Sequence, residues 1–541
     1  MIDLLAYHSG RMTVAEYIAS TLHIAGVRYV FGVPGGPSVP YMEAFKQAGI
    51  EFILTANEAA AGIMADVTAR LTGIPGVCHA TFGPGATNIS TGVGGALLDR
   101  SSVIVLTSEM DDEMISRITQ MNINHQKLFE PVTKATFRMN PENSAGIMES
   151  ALRICSEEYP GPVHIGLPSD ISEKELTESG KITHVESGDL PANETDRIKY
   201  LLGKSKRPLL AVGLTAKRLQ VRKHLAAFLE KFRIPVVITP MAKGILPADH
   251  PCYAGVLFHA SSDCLEDILV KTDLVIGLGY DPVEYNYESW MPDVPLIHFD
   301  TKELDILAVK EVACYKGNPE EWFSLLSNLQ PANLESDMVT VKEIRDEMHN
   351  IFEGFTGRFG PCAALKILRE ALPARSIVTS DVGSHLHLIG QYWDPGDKGK
   401  LIMTNGWSGM GFGMPAALAA KLINPDLPVA CLTGDGGFLM MAGEVVTASR
   451  YNLPVIVVVF SEGELNLIKL KQSWKDLSPY GTILYHGDLF EADRFLGIKV
   501  FKADSHESMR KAVLSALELG EPAIINTIID PEDYKWMIVK R

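Results

Sequence analysis

Two short turns hold the densest chemistry in this sequence. The first is Gly434-Asp435-Gly436-Gly437. The second, one helix-like segment (Phe438–Pro454) and one strand later, is Ser461-Glu462-Gly463-Glu464-Leu465. Each turn follows an apolar run, Leu427–Thr433 and Val455–Phe460, that reads as a buried strand. If those strands are parallel neighbours, their C-terminal ends bring an acid and a second oxygen ligand together, where open α/β sheets bind ligands. Mg2+ suits such a place, because it takes few carboxylates and completes its shell with phosphate oxygens. The glycines let the backbone approach a phosphate, and the helix expected to open near Gly437 offers free N–H groups. The expected chemistry is a cation clamp on a diphosphate, with Asp435, Glu462 and Glu464 as metal-ligating candidates. A simple helix cap would explain Asp435 alone, but not the second strand end.

A second group of candidates lies in the first third of the chain. Glu58 opens a predicted helix after the apolar strand Phe52–Leu54, among small alanines that point to a tight, dry site. A desolvated glutamate tends to hold its proton near neutral pH, which suits proton sharing. Gly35-Gly36 reads as a loop of close backbone approach, and Gly83-Pro84-Gly85 with Asn88 as a second glycine turn. Lys469 and Lys471 read as a solvated helix face rather than a carboxylate site.

Positioning these residues takes three α/β blocks. Residues 1–175 alternate helical segments (Thr13–Ala25, Asn57–Thr72) with strands at Tyr29–Val33, Gly76–Ala80, Val103–Ser108 and Val163–Leu167. Residues 190–335 carry strands at Pro208–Gly213, Pro235–Thr239, Leu274–Gly279 and Pro295–Asp300. Residues 355–541 add a strand at Ser376–Thr379, the two strands named above and a last one at Pro522–Ile529. Such alternation builds βαβ units, so the expected fold is α/β with three doubly wound parallel-sheet domains. The polar stretches Ile171–Leu190 and Gln330–Asp337 read as linkers.

Bulk properties narrow the class. The chain has 541 residues, enough for three ordinary domains. A net charge of −17 argues against nucleic acid or an anionic membrane as partner, and requires an anionic substrate to meet a locally positive site. No apolar run nears the roughly 20 residues of a membrane helix. The start, Met1–His8, lacks the regions of a signal peptide. The seven cysteines form no C-x-x-C pair, so reduced thiols in the cytoplasm are expected.

The motifs also stand in a telling order: Phe31-Gly-Val-Pro-Gly-Gly36, Asn57-Glu58-Ala-Ala-Ala-Gly62, Thr81-Phe-Gly-Pro-Gly-Ala-Thr-Asn88, Asp381-Val-Gly-Ser-His385, Ser408-Gly-Met-Gly-Phe-Gly-Met-Pro415 and the Gly434–Gly437 turn. This series, over nearly the whole chain, resembles the acetolactate synthase and pyruvate oxidase group of thiamine diphosphate enzymes. The resemblance implies a pyrimidine-binding first domain, a spacer in the middle and a diphosphate-binding last domain. It places the Glu58 carboxyl on N1′ of the aminopyrimidine, where it favours the imino form and, through it, loss of the C2 proton. Met410, beside Ser408, would hold the cofactor bent. Gly35, Gly36 and Asn88 would lie near the thiazolium. Gly383, Ser384 and His385 would contact the diphosphate, with Gly434, Asp435, Gly436, Gly437, Glu462, Glu464 and Leu465 completing a cradle that holds Mg2+. Gly277-Leu-Gly-Tyr-Asp-Pro-Val-Glu-Tyr285 resembles flavin-free, catabolic-type members, so FAD is not expected.

Several positions depart from the family pattern. Glu462 stands where Asn, and sometimes Asp, is usual. Phe82 replaces a small serine and His79 an aliphatic residue. Thr119–Gln126 overlies a stretch with an active-site glutamine, yet counting back from Thr133-Lys134 puts Met121 there rather than Gln120. His79, Phe82 and Gln120 are the substrate-pocket candidates.

The implied reaction is decarboxylation of a small 2-keto acid, most simply pyruvate, and carboligation to a second one to give acetolactate. The alternatives are an aldehyde carboligase, a 2-hydroxyacyl-CoA lyase or a sulfoacetaldehyde-type acetyltransferase. A non-catalytic cofactor-binding subunit is a further one, opposed by the presence of Glu58. A cytoplasmic homodimer or homotetramer with active sites between subunits is expected.

Overall fold

A computed structural model describes residues 12–177, 194–284, 290–302, 306, 311–331, 334–335 and 337–538. Met1–His8, most of the Ile171–Leu190 linker, part of Gln330–Asp337 and Tyr285 lie outside the described residues. The chain forms two compact units. The first joins the N-terminal block to Trp407–Asp426 and Met441–Leu453, and the second holds the remainder.

The first unit is built on six strands: β1 (Tyr29–Val33), β2 (Glu51–Leu54), β3 (Gly76–Ala80), β4 (Val103–Glu109), β5 (Ala135–Arg138) and β6 (Pro162–Pro168). All pair in parallel, in the order β2-β1-β3-β4-β6-β5. The chain turns outward from β1 to β2 and then crosses to β3, so the switch point falls between β1 and β3. β3, β4 and β6 are buried along their whole length, as expected of a parallel sheet covered on both faces.

Two helices follow from this topology: α1 (Glu58–Thr72) after β2 and α2 (Pro84–Leu98) after β3. They cross closely at Gly62 and Gly92. A Cβ at Gly62 would fall 2.9 Å from the Cα of Gly92, and one at Gly92 2.7 Å from the Cα of Gly62. At the far end of α1, Arg70 donates to Asp66 and to Asp99, each at 2.6 Å, with both carboxylates buried. The helix Gly413–Ile423 packs on α1, with the Arg70 guanidinium 5.5 Å from the Phe412 ring. A third helix, α3 (Glu444–Arg450), belongs to the same unit.

The second unit carries two sheets. The middle one, β7 (Pro208–Val212), β8 (Val236–Ile238), β9 (Tyr253–Val256), β10 (Leu274–Leu278), β11 (Leu296–Asp300) and β12 (Val312–Lys316), runs in the order β12-β11-β10-β7-β8-β9. The last one holds β13 (Ile377–Ser380), β14 (Lys400–Ile402), β15 (Val429–Gly434), β16 (Val455–Ser461), β17 (Arg494–Phe495), β18 (Ile498–Ala503) and β19 (Ala523–Ile528). Its order is β14-β13-β15-β16-β19-β18-β17. Only the short β17–β18 pair is antiparallel. The three parallel α/β sheets expected from the sequence are present, and β15 and β16 are neighbours with Gly434 opposite Phe460. The segment Phe438–Pro454, read as one helix, is two: Asp435–Met441 and α3. Among the described residues no helix is long and apolar enough to cross a membrane.

The Asp66–Arg70–Asp99 cluster tests the scaffold. Arg70→Met removes a cation between two buried carboxylates and is expected to destabilise the first unit by roughly 3–5 kcal/mol. Chemical denaturation followed by circular dichroism measures this, and a loss under about 1 kcal/mol, the worth of an exposed pair, refutes the burial argument.

Candidate functional site

In the second unit the candidate residues gather at the C-terminal ends of β13, β15 and β16, beside the switch point between β13 and β15. Asp435 stands directly after β15 and starts the helix Asp435–Met441, two residues earlier than expected. Its carboxylate accepts from four donors. Oδ1 accepts from the Gly436 amide at 2.8 Å, and Oδ2 from the amides of Glu462 at 2.9 Å and Gly463 at 2.7 Å. Oδ2 also accepts from the Tyr485 hydroxyl at 3.1 Å. The two turns recognised in the sequence are thus joined by Asp435 itself.

Glu462 and Glu464 differ in their surroundings. The Glu464 carboxylate is paired with Lys469 and accepts from the Thr482 hydroxyl at 3.1 Å. The Lys469 of the expected solvated face is therefore its ion-pair partner. Glu462 Oε2 is buried and has no hydrogen-bond partner among the described residues. Burial, and then the Asp435 charge, hold the Glu462 carboxyl well above the usual range. The Leu465 amide donates to the Thr482 carbonyl, which closes the turn.

The turn after β13 supplies the other side. Ser384 and His385 begin the helix Ser384–Tyr392, behind Gly383. The His385 ring lies where a Cβ on Gly434 would come within 3.3 Å of it, and it stacks on Phe460 at 5.8 Å. Burial pushes His385 down to about 3, so the imidazole is neutral. Ser384 Oγ and His385 Nε2 are buried without partners among the described residues. A Cβ on Gly437 would meet the Asp381 carboxylate at 2.8 Å. An unpartnered hydroxyl, an unpartnered imidazole nitrogen, an unpartnered carboxylate oxygen and a glycine turn leave polar capacity for a diphosphate with a divalent cation.

The first unit holds a second cluster. Glu58 is the first residue of α1, after the cap Asn57, whose side chain accepts from the Ala59 amide at 2.7 Å. The Glu58 carboxylate reaches α2, where Asn88 Nδ2 donates to it at 3.1 Å, and a Cβ on Gly85 would stand 3.4 Å from its Oε1. It is half-buried rather than fully dry. Gly35 lies against Thr81, whose Oγ1 a Cβ there would meet at 2.2 Å, while the space at Gly36 is open. Ser408, exposed with φ of 52°, and half-buried Met410 follow Trp407, whose ring packs on Gly94 of α2.

The substrate-pocket candidates differ in their surroundings. His79 is buried in β3, pushed down to about 4 by burial, with Nε2 bonded to the Ser38 hydroxyl at 2.6 Å. It braces the Gly35–Ser38 turn. Phe82 is buried next to Gly83, and the backbone of Met121 presses on that glycine, its O 2.5 Å from a Cβ placed there. Gln120 itself is exposed.

Three features were not anticipated. Tyr485 sits in a loop far from any motif and carries no periodic signal. Glu444 and Tyr451 bind the backbone that leads into Glu58. On β4, β5 and β6, the Thr107 hydroxyl bonds His125 Nδ1 at 2.8 Å and His164 Nε2 at 2.7 Å, and Thr136 bonds His164 Nδ1 at 2.7 Å. Glu109, His125 and His164 lie close enough for a metal site. However, Glu109 is already held by Arg138 and Gln126, and the three ring nitrogens by the two hydroxyls, so the cluster is a closed polar network.

Comparison with known proteins covers the chain almost from end to end. The family described as thiamine pyrophosphate enzyme, N-terminal TPP binding domain, matches residues 12–128. The corresponding central domain matches 195–315 and the C-terminal TPP binding domain 381–527. The probable acetolactate synthase large subunit of Methanocaldococcus jannaschii is 29% identical, over 97% of this chain and 93% of the relative. The acetolactate synthase isozyme 2 large subunit of Escherichia coli K12 is 28% identical, over 98% and 97%. The acetolactate synthase of Bacillus subtilis is 27% identical, over 96% and 93%. Three matched domains in the family's order, on three parallel sheets with carboxylates at the expected strand ends, make this chain a member of the thiamine pyrophosphate enzymes.

Proposed function

We propose that this chain decarboxylates pyruvate and joins the two-carbon unit to a second pyruvate, giving acetolactate. The observation that carries the reading is Glu58: it opens α1 with its carboxylate fixed by Asn88, in a chain similar over nearly its full length to acetolactate synthases. When bound, thiamine diphosphate supplies a C2 carbanion that adds to a keto carbonyl and accepts the electrons released with CO2. Glu58 would pass a proton to and from the pyrimidine. Asp435 and Glu462 would hold Mg2+, Ser384 would donate to the diphosphate, and His385 would line it. With Glu464 paired to Lys469, its side chain is the weakest of the three metal candidates.

A different acceptor is the second reading, favoured by the bulk of Phe82 and the Met121 turn pressed on Gly83. No flavin is proposed. At the switch point of the middle sheet, the turns after β7 and β10 pack backbone on backbone, and a Cβ on Gly213 would fall 2.4 Å from the Gly279 carbonyl. The protein is read as a cytoplasmic homodimer or homotetramer whose sites take Glu58 from one subunit and Asp435 from another, as the family resemblance implies.

Incubation with pyruvate, Mg2+ and thiamine diphosphate, read by mass spectrometry, is expected to yield acetolactate and CO2. Consumption of pyruvate only when an aldehyde or acyl-CoA is added would replace this reading by the second one.

Asp435→Ala is expected to weaken Mg2+ and thiamine diphosphate binding by more than the roughly 10–100-fold that losing an outer-shell partner costs. Glu462→Gln keeps an oxygen ligand and should weaken the metal while preserving measurable binding. Calorimetry decides, and unchanged affinity in Asp435→Ala removes it from the site.

Subunit sharing is tested by mixing an inactive Glu58→Gln chain with an inactive Asp435→Ala chain. Each hybrid dimer should contain one intact site, so random exchange restores about a quarter of wild-type activity. No recovery, with hybrids seen by native mass spectrometry, would place both residues in a single chain's site.

A further inference from the structure

The turn that delivers Glu58 is held by side chains from a helix almost 400 residues later in the sequence. Glu444, at the start of α3, is completely buried, and its Oε1 accepts from the amides of Ala56 and Asn57, both at 3.0 Å. Its Oε2 is buried with no hydrogen-bond partner among the described residues. At the other end of α3, Arg450 donates to the Leu54 carbonyl at 2.8 Å, and the Tyr451 hydroxyl accepts from the Leu54 amide at 2.7 Å. Gly443 brings the helix in: a Cβ there would stand 3.1 Å from that of Ala56. Three consecutive elements are thereby fixed, namely the end of β2, the turn Thr55–Asn57 and the cap of α1.

Packing alone does not account for this arrangement. A buried carboxylate with one oxygen unpaired carries a desolvation cost that an apolar residue of similar volume would avoid. Its two amide partners belong to Ala56 and the Asn57 cap, immediately before Glu58. The start of a helix is where a negative charge is best tolerated, and the amide of Asn57 is pinned while its side chain caps α1. Glu58 is then restrained from two sides: the backbone immediately before it by Glu444, and its carboxylate oxygen by Asn88. A displacement of about 1 Å in a group that transfers a proton costs on the order of 100-fold in rate.

We propose that Glu444 is a positioning residue for the thiamine diphosphate reaction, which holds Glu58 in register by clamping the Ala56–Asn57 amides, with Tyr451 as its auxiliary. This rests on the function proposed for Glu58, and the test separates the two. Backbone hydrogen–deuterium exchange in the cofactor-free protein, read by mass spectrometry over peptides spanning residues 52–60, reports the clamp directly. Exchange at C2 of bound thiamine diphosphate, read by NMR after acid quench, reports its consequence.

Glu444→Gln keeps an acceptor but loses the charge, and should speed amide exchange in that peptide and slow C2 exchange about 10-fold. Glu444→Ala should do both more strongly, by about 100-fold at C2. Tyr451→Phe, the mildest change, should follow in the same direction by about 3-fold. Thiamine diphosphate affinity should stay within about 3-fold throughout, because Glu444 and Tyr451 bond the backbone before Glu58 and are not among the residues proposed to hold the diphosphate. Should Glu444→Ala fail to fold, the other two variants decide. C2 exchange within twofold of wild type in both Glu444→Gln and Tyr451→Phe overturns the proposal, as does an equal loss of cofactor affinity, which would mark a general structural defect. Glu58→Gln serves as reference, with the roughly 10²–10⁴-fold loss of a lost proton carrier expected. If it exchanges like the wild type, the reading of Glu58 has failed, whatever Glu444 does.

Discussion

The Asp435 carboxylate is the constraint on which the last sheet's active end depends. It terminates β15 and collects four donors, one from its own turn, two from the turn after β16 and one from Tyr485. Hydrogen bonds to a charged group contribute about 1.5–3 kcal/mol each. This is enough to tie two neighbouring strand ends into one rigid platform. The same carboxylate sets the electrostatics, since its charge helps to keep Glu462 above the ordinary range. Two acids at adjacent strand ends are unfavourable for the fold alone. They become reasonable where a divalent cation balances them, a common way for a site to hold stability in reserve for function.

The first unit solves a related problem by other means. A glutamate at the first position of a helix must point in one direction, yet helix ends fray. Here α1 is anchored along its length. Gly62 and Gly92 allow close crossing with α2, the Asp66–Arg70–Asp99 cluster locks the far end, and Asn57 and Glu444 fix the near end. Asn88 then reaches the carboxylate from α2, so the two helices that cross at the glycines also share the functional contact. Rigid elements, rather than a loop, carry the residue, as precise proton transfer requires.

Much of this was legible because buried parallel strands write long apolar runs. β1, β3, β4, β15 and β16 announce themselves, and the glycine turns after them mark strand ends where a ligand can approach. The strands that escaped were β5, β9, β12, β14, β17 and β18, of which all but β18 lie at sheet edges. An edge strand is wet on one side and can be short and polar: β5 is nowhere fully buried, β14 begins with Lys400, and β18 carries Lys499 and Lys502. The catalytic candidates were found through local patterns, whereas Tyr485, Glu444 and Tyr451 act through contacts with residues distant in sequence. The polar network of Thr107, His125 and His164 was missed for the same reason, since its members come from three separate elements. His79 shows the converse: conspicuous as a polar residue in an apolar strand, it is bonded through Nε2 to Ser38 beneath the Gly35 turn.

The departure at Glu462 has an electrostatic consequence for the proposed site. An asparagine ligand beside Asp435 would leave a bound Mg2+ with one unit of positive charge toward the diphosphate. A second carboxylate cancels it, so attraction for the phosphates must come from elsewhere. His385 does not provide it as a cation, because burial keeps the imidazole neutral. What remains are the N–H groups at the starts of the helices Ser384–Tyr392 and Asp435–Met441 and the Ser384 hydroxyl. Such dipoles act well when they are preorganised and shielded from water. The shielded, unpartnered Ser384 and His385 atoms are what that arrangement demands. On this argument the glycine turns matter more here than in a relative with asparagine. Where the cation contributes no surplus charge, the closeness of backbone amides to the phosphates has to supply the binding.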